Sequence, residues 1–489
     1  MRRAPFILVL DEGTSSTRAL LYDAQGTVHG SCSRLIEQYY PAPGLVEHNA
    51  EDIWESTLAC GRAMVQRAGG ATEIAAIGIT NQRETVVAWD RRTSRPLHNA
   101  IVWQDRRTAT ECERLKKEGR EPLIRERTGL LLDPYFSGTK MAWLRTLPEI
   151  LCAGASLAFG TIESWLAWKL TGGEHVSDAV NASRTLLMDL EGCDWDDRLL
   201  DLFAVPKAAL PRIVANAAPI GTTLPEWFGA PIPITAMIGD QQSAMIGQGC
   251  TRPGDTKLTI GTGAFALTGL GDRRPAVLGS LLGTVLYELA GQRHFALEGS
   301  IFVAGSLVKW LRDNLGILGN APESEALARS VPDNGGVYLL PALSGLGAPY
   351  WRPSATARID GLTFSSTRAH VARAALEAVT HQCIDLAEAF AEAGAHWDEL
   401  RLDGGMSAND WLAQDLASML SVPTVRPQDV ETTARGAAIL ASIGANIYSS
   451  LEEAQIMLPP TNRFEPKNVA EERNRRLEGW HKILASCDE

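Results

Sequence analysis

The sequence predicts an α/β fold built from two duplicated domains that flank a cleft. Three observations predict it. The 489 residues are too many for one hydrophobic core and suit two domains of about 240 residues each. An apolar run, a polar turn containing Gly-Thr and a second apolar run occur at 6–22 and again at 256–267. Segments 74–85 and 400–412 each run from a strand into a small or polar turn, at matching places in the two halves. No low-complexity linker separates the halves. The boundary is expected near 249–254, giving domains of 1–249 and 250–489 joined by short connections around the cleft.

Residues 6–10 (FILVL) read as an apolar strand, 11–17 as a polar loop and 19–22 as a second strand, after which Ala24, Gln25 and Gly26 turn the chain. Seven polar residues exceed the roughly two to five of an ordinary hairpin, so an anion site is expected in DEGTSSTR (11–18). Gly13 permits a tight turn whose amides can face a phosphate, and Thr14, Ser15 and Ser16 add donors. Arg18 adds permanent charge, and Asp11 can hold Mg²⁺ directly or through water. The strand over 74–79 ends in the polar cluster of GITNQRET (78–85). There Arg83 can only donate and Glu84 can only accept, which is the mixture a small polyhydroxylated substrate needs. Taken alone, that pair reads better as a surface ion pair of little value.

The apolar strand over 232–238 delivers Asp240 and Gln241. A carboxylate there can take a hydroxyl proton as that oxygen attacks phosphorus, or simply cap a helix. Residues 256–260 lead into Gly261, Thr262 and Gly263, which pair with the first loop as a two-sided phosphate clamp; no Gly-Lys-Ser/Thr P-loop competes. Glycines 404 and 405, after the strand at 400–402, let something flat approach the backbone. Asn409 can read a base edge or sit in the first turn of a helix. Ala375, Val379, Cys383, Leu386 and Phe390 mark the buried face of a helix over 372–394, and 433–439 starts a small-residue helix. Trp103, Tyr135 and Phe265 lie close to these segments, and polyol carbons pack well on rings.

Composition narrows the classes. At 45% hydrophobic and 21% charged the chain is an ordinary soluble globular protein, and its net charge of −12 argues against nucleic-acid binding. Eight cysteines (32, 60, 112, 152, 193, 250, 383 and 487) form no CxxC pair, and nine histidines show no HxxxH spacing. Both facts argue against a disulfide framework or zinc site and fit a reducing compartment. No apolar stretch approaches the roughly 18 residues of a membrane span. The run after Arg2 and Arg3 is shorter than the about 7–15 residues of a signal-peptide core, so a cytoplasmic location is expected.

Together LDEGTSSTRA (10–19), PGLVEH (43–48), IAAIGITNQRET (74–85), NAIVWQDRRT (99–108) and TGLLLDPYFSGTK (128–140) resemble the FGGY carbohydrate kinases. NASRT (181–185), IGDQQSAMIGQ (238–248), GTGAF (261–265), ALEGSIFVAG (296–305), GLGAPYW (345–351), DGGMSAN (403–409) and GAA (436–438) extend the resemblance over nearly the whole chain. It implies two duplicated actin/hexokinase-like (ribonuclease H-like) domains flanking an interdomain catalytic cleft, and a homo-oligomer, dimer or tetramer. Within the family the chain is most similar to members that phosphorylate glycerol with ATP and Mg²⁺ to sn-glycerol 3-phosphate; a kinase for another small polyol such as erythritol is the alternative. The resemblance assigns Arg83, Glu84, Trp103, Tyr135, Asp240, Gln241 and Phe265 to the polyol, with Asp240 as general base and Asp11 and Asp240 beside Mg²⁺. Thr14, Ser15, Ser16 and Arg18 contact phosphates from one side and Thr262 and Gly305 from the other. Lys309 lies near the nucleotide, and Gly405 and Asn409 hold the adenosine. Three positions depart from the family pattern. Glu12 replaces a usual Gln and is expected to add negative charge beside the loop, Lys309 replaces another Gln, and Asp360 replaces an apolar residue.

Overall fold

The computed structural model describes residues 6–486 except 277, 353 and 430. Phe6–Glu12 (β1), Ser16–Tyr22 (β2) and Val28–Leu35 (β3) form an antiparallel meander. Ile74–Asn81 (β4), Ala217–Thr222 (β5) and Pro233–Gly239 (β6) complete the first sheet in the order β5-β6-β4-β1-β2-β3, with β1, β4 and β6 parallel. The second sheet comprises Asp255–Ile260 (β7), Ala264–Gly271 (β8), Leu282–Leu289 (β9), Gln292–Ile301 (β10), Glu399–Asp403 (β11), Thr424–Pro427 (β12) and Thr461–Phe464 (β13). Its order is β9-β10-β8-β7-β11-β12-β13. In each sheet the first strand carries an antiparallel meander on one side and two parallel strands on the other. The echo between 74–85 and 400–412 is therefore structural, because β4 and β11 hold equivalent places.

The central strands are apolar on both faces because both faces are covered. Ile7 and Val9 join a buried cluster that continues into Leu258 and Leu402 of the second sheet, while Leu8 and Leu10 pack with Ile77, Ile79 and the helix Ala50–Ala68 (α1). Further helices that matter here are Asp240–Gly247 (α2), Gly305–Asp313 (α3), Arg368–Glu392 (α4), Asp410–Leu420 (α5) and Thr432–Gly444 (α6). The helix expected over 372–394 starts earlier, at Arg368, because Thr367 and His370 form a capping box; its five stripe residues are all buried. Asp360 lies exposed at the end of a short ribbon strand, Arg358–Asp360, where a charge costs little. Among the described residues no helix is long and apolar enough to cross a membrane.

The loop expected over 11–17 is corrected to residues 13–15, because β1 runs through Glu12 and β2 resumes at Ser16. Asp11 and Glu12 remain in the strand since each finds a partner directly across the hairpin: Asp11 pairs with Arg18, and Glu12 accepts a 2.6 Å hydrogen bond from Thr17. Loop length was thus no ground for an anion site.

The two halves interlock through glycines. The small-residue helix α6 belongs to the second half but lies on the first sheet. A Cβ added to Gly78 would meet the Ala437 carbonyl at 2.6 Å, and one added to Gly444 the Thr235 carbonyl at 2.2 Å. Where α6 crosses α2, a Cβ on Gly436 would stand 1.8 Å from the Ser243 carbonyl and one on Gly247 1.9 Å from that of Thr432. Backbone meets backbone there. Gly436→Ala gains helix propensity of about 1 kcal/mol. It is nevertheless expected to lower Tm, since forcing the helices apart costs about 1–3 kcal/mol or more. An unchanged or raised Tm in thermal melts would show that the backbones do not touch.

Glu12 is also corrected. It is 1% exposed, accepts from the Thr17 and Thr57 hydroxyls, and leaves its Oε1 unpartnered among the described residues. Burial raises its pKa from 4.5 to about 8, so near neutrality it is uncharged and mimics the glutamine it replaces. Below about pH 4.5 the group is protonated in both the folded and unfolded chain; between there and about pH 8 only the unfolded chain releases the proton, and stability falls as pH rises. Glu12→Gln should therefore raise Tm by a margin that grows across that window and vanishes at its acid end. A margin independent of pH would contradict the buried neutral carboxyl.

Candidate active site

The C-terminal ends of the three neighbouring parallel strands β1, β4 and β6 deliver the loop 13–15, the cluster 82–85 and the pair Asp240–Gln241 to one edge of the first sheet. Crevices at such strand ends are where open α/β sheets bind ligands. In the first loop the carbonyls are tied back: Gln82 Nε2 donates to Gly13 O at 3.1 Å, Gln38 Nε2 to Thr14 O at 3.2 Å and Ile36 N to Ser15 O at 3.0 Å. The amides of Thr14 and Ser15 donate to nothing among the described residues and are free for an anion. Ser16 opens β2. Arg18 is no free cation, because Asp11 and Glu431 both hold its guanidinium.

Arg83 and Glu84 are almost fully buried, so the exposed ion pair is excluded. Arg83 donates from Nη1 at 2.6 Å and from Nη2 at 3.3 Å to the two carboxylate oxygens of Glu298, which comes from β10 of the second sheet. Its Nη1 also reaches Gln242 Oε1 at 3.2 Å, and its Nε stands 3.4 Å from Asp240 Oδ1. Arg184 donates to Glu84 at 2.6 Å and to Glu298 at 3.0 Å. Burial alone would raise the Glu298 carboxyl, but the guanidiniums of Arg184 and Arg83 override it and hold the pKa at about 2. Glu84 adopts a left-handed backbone, φ 61°, with its carbonyl accepting from Lys140 Nζ and Ser137 Oγ, both at 3.1 Å. Lys140 also donates to Tyr135 O at 2.6 Å. Burial depresses this lysine to about 7 against the pull of Glu84.

Asp240 is the first residue of α2, and its carboxylate accepts the Gln241 amide at 2.7 Å; the helix is capped by Gly239, so the N-cap role falls away. With 32% of its side chain open, Asp240 is far more accessible than the neighbouring Glu84 and Glu298 carboxylates. Enclosure raises its pKa from 3.8 to about 6, with Arg83 opposing and Glu84 reinforcing the rise. Trp103 donates to Thr14 Oγ1 at 2.9 Å and meets Tyr135 edge to face at 5.7 Å, so this aromatic pair is joined to the loop 13–15. Phe265 stands on β8, half-buried, beside Thr259 in register.

In the second half, Thr262 is exposed and its amide is unpaired among the described residues, whereas the Gly305 amide is already spent on the Gly261 carbonyl at 2.9 Å. Gly305 is glycine because a Cβ would meet that same carbonyl at 2.3 Å. Lys309 is exposed on α3. The paired glycines differ in role. Gly404 has φ 83° and packs on Ile260, while a Cβ on exposed Gly405 would meet nothing. Gly405 borders a cavity of about 640 Å³ that also involves Arg18, Arg426 and Glu431. Asn409 caps α5, its Oδ1 accepting from Leu412 N at 2.9 Å, which leaves its amide nitrogen to donate. Sequence reasoning gave no role to Glu298, Arg184, Lys140 or Lys257. The available signal was a charge within a strand beside residues that read as core, as at Glu298 after Ala296 and Leu297 in β10 and Lys257 before Leu258 in β7.

Comparison with known proteins bears on the family and the fold. Residues 6–247 match the N-terminal domain, and residues 256–445 the C-terminal domain, of the FGGY family of carbohydrate kinases. Glycerol kinase of Trichlorobacter lovleyi is 51% identical over 485 residues, covering 98% of each chain, and that of Dechloromonas aromatica is 49% identical over 99% of this chain and 97% of its own. The crystal structure of Plasmodium falciparum glycerol kinase with ADP superposes with a TM-score of 0.93 at 32% identity, covering 100% of this chain and 99% of that one. A xylulose kinase from Lactobacillus acidophilus shares the fold at 22% identity, with a TM-score of 0.88 over 99% and 98% of the two chains. With two sheets of the same topology and the two family models matching residues 6–247 and 256–445, the chain belongs to the FGGY family of carbohydrate kinases.

Proposed function

We propose that the protein transfers the γ-phosphoryl group of ATP to a terminal hydroxyl of glycerol, giving sn-glycerol 3-phosphate and ADP. The observation that carries this reading is the buried Arg83–Glu84 pair beside a single accessible carboxylate, Asp240. Donor and acceptor stand together there, as a vicinal polyol requires. The full-length similarity to proteins named glycerol kinase supports it.

Glycerol hydroxyls lie against Arg83, Glu84, Asp240 and Gln241, and its carbons against Trp103, Tyr135 and Phe265. Asp240 takes the proton as the hydroxyl oxygen bonds to the γ-phosphorus; the bond from that phosphorus to the bridging oxygen breaks, and ADP leaves. The amides and hydroxyls of Thr14 and Ser15, with Ser16 and Thr262, hold phosphate oxygens. Gly405 and Asn409 border the adenosine, and Lys309 lies on the helix beside it. The domain boundary falls within 249–254, next to α2.

Among the described residues no three His, Cys, Asp or Glu side chains are grouped to hold a metal ion. Mg²⁺ is bound through one or two carboxylates, water and substrate phosphates rather than by an all-protein cage. Asp240 offers an open carboxylate, and Asp11, held by Arg18, acts through water. The ion supplies neutralising charge on the phosphates when bound.

Asp240→Asn should lower kcat by roughly 10²–10⁴-fold while nucleotide binding persists; unchanged turnover removes Asp240 as base. Because the base must be ionised, kcat/KM should fall as pH drops below about 6 in the wild type. A flat profile down to pH 4.5 would mean the proton goes elsewhere. Substrate identity is tested by ADP release across glycerol, erythritol, xylitol, xylulose and dihydroxyacetone. Glycerol should lead in kcat/KM; another leader keeps the ATP site and Asp240 but assigns a wider pocket.

A further inference from the structure

We propose that Lys257 is a positioning residue for the polyol, fixing from the opposite half of the chain the direction in which Gln241 presents its carboxamide. This rests on the assignment of Gln241 to the polyol made above. Lys257 lies within β7, is fully buried, and has no carboxylate of the described residues within ion-pairing distance. An unpaired buried ammonium is costly unless its protons are used. Lys257 uses two: Nζ donates to Gln241 Oε1 at 2.7 Å and to Thr259 Oγ1 at 2.7 Å.

An ammonium donates and never accepts, so the Gln241 atom facing it must be the oxygen. The usual ambiguity of a carboxamide is thereby removed. Gln241 Nε2 is left on the other side with no partner among the described residues, half-buried beside Asp240. Gln241 therefore acts as a donor only. Around the polyol, Arg83 and Gln241 donate while Glu84 and Asp240 accept, so each hydroxyl can find both kinds of partner. Without Lys257 the carboxamide is free to turn and set an acceptor against the acceptors already present. The two side chains come from different halves of the chain, so the contact also ties the polyol-facing end of α2 to the strand that leads into the loop 261–263.

The test is a double-mutant cycle of Lys257→Met and Gln241→Ala, read as steady-state ADP release with the polyol the wild type turns over best, with Tm measured for each variant. Lys257→Met alone should raise the polyol KM about ten- to hundredfold, the loss of a hydrogen bond to a charged group, while KM for ATP changes little. In the Gln241→Ala background the same substitution should change the polyol KM by less than about twofold. Lys257→Arg, which also only donates, should restore most of the affinity. Should Lys257→Met not fold, the Lys257→Arg change in KM, whatever its size, should likewise vanish in Gln241→Ala. Losses that simply add, or that appear in KM for ATP or in kcat, overturn the proposal. A wild type that turns over no polyol overturns the proposed function instead.

Discussion

The Arg83–Glu298 pair is the constraint on which the site depends. Two guanidiniums, Arg83 and Arg184, share Glu298, and Glu84 balances the second one, all four nearly devoid of water. The set is neutral only when complete. Replacing one member strands a charge in a low-dielectric interior, at a cost of about 3–5 kcal/mol. Because Glu298 belongs to the second sheet and the other three to the first half, this charge cluster exists only when the halves are assembled. Charge balance and cleft geometry are therefore a single requirement.

The assembly has a second, chemically different fastening. Where α6 crosses α2 and β6, glycines replace side chains, and hydroxyls stitch the gap: Ser243 Oγ donates to Thr433 O at 2.6 Å and Thr235 Oγ1 to Ala441 O at 2.9 Å. Asp403, at the end of β11, accepts from Gln248 Nε2 and Thr432 Oγ1, both at 2.8 Å, and so carries the same junction toward the nucleotide side. Contacts of this kind tolerate little change in spacing, because neither backbone can yield. A rigid junction next to a charged floor keeps the strand ends β1, β4 and β6 in register with those of β7 and β11.

What was legible in the sequence was local. Apolar runs gave the central strands, and their polar ends gave the cluster 82–85, the pair Asp240–Gln241 and the loop 261–263. The β1–β2 loop was misjudged because Asp11 and Glu12 look like loop residues until their cross-strand partners, Arg18 and Thr17, are placed. Glu12 looked like added charge because burial and its effect on ionisation are three-dimensional properties. Arg83 looked like a surface residue for the same reason: Glu298 is 215 residues away along the chain. Lys257 carried one signal, a lysine in the middle of a strand, but only the position of Gln241 gives that lysine a task.

Asp11 and Asp240 show how neighbouring strand ends separate two similar groups. Burial raises the pKa of both, yet their prospects differ by access rather than acidity. Asp11 is 4% exposed and gives an oxygen to Arg18, whose other side is held by Glu431. It can shape the field at the phosphate loop but cannot reach a hydroxyl. Asp240 heads a helix at the cleft floor, keeps an open oxygen, and meets Arg83 at 3.4 Å, too long for a tight pair that would quench its basicity. A proton acceptor must touch the proton it removes. Of the two, only Asp240 meets that condition, and it does so where Arg83, Glu84 and Gln241 would hold the hydroxyl that gives the proton up.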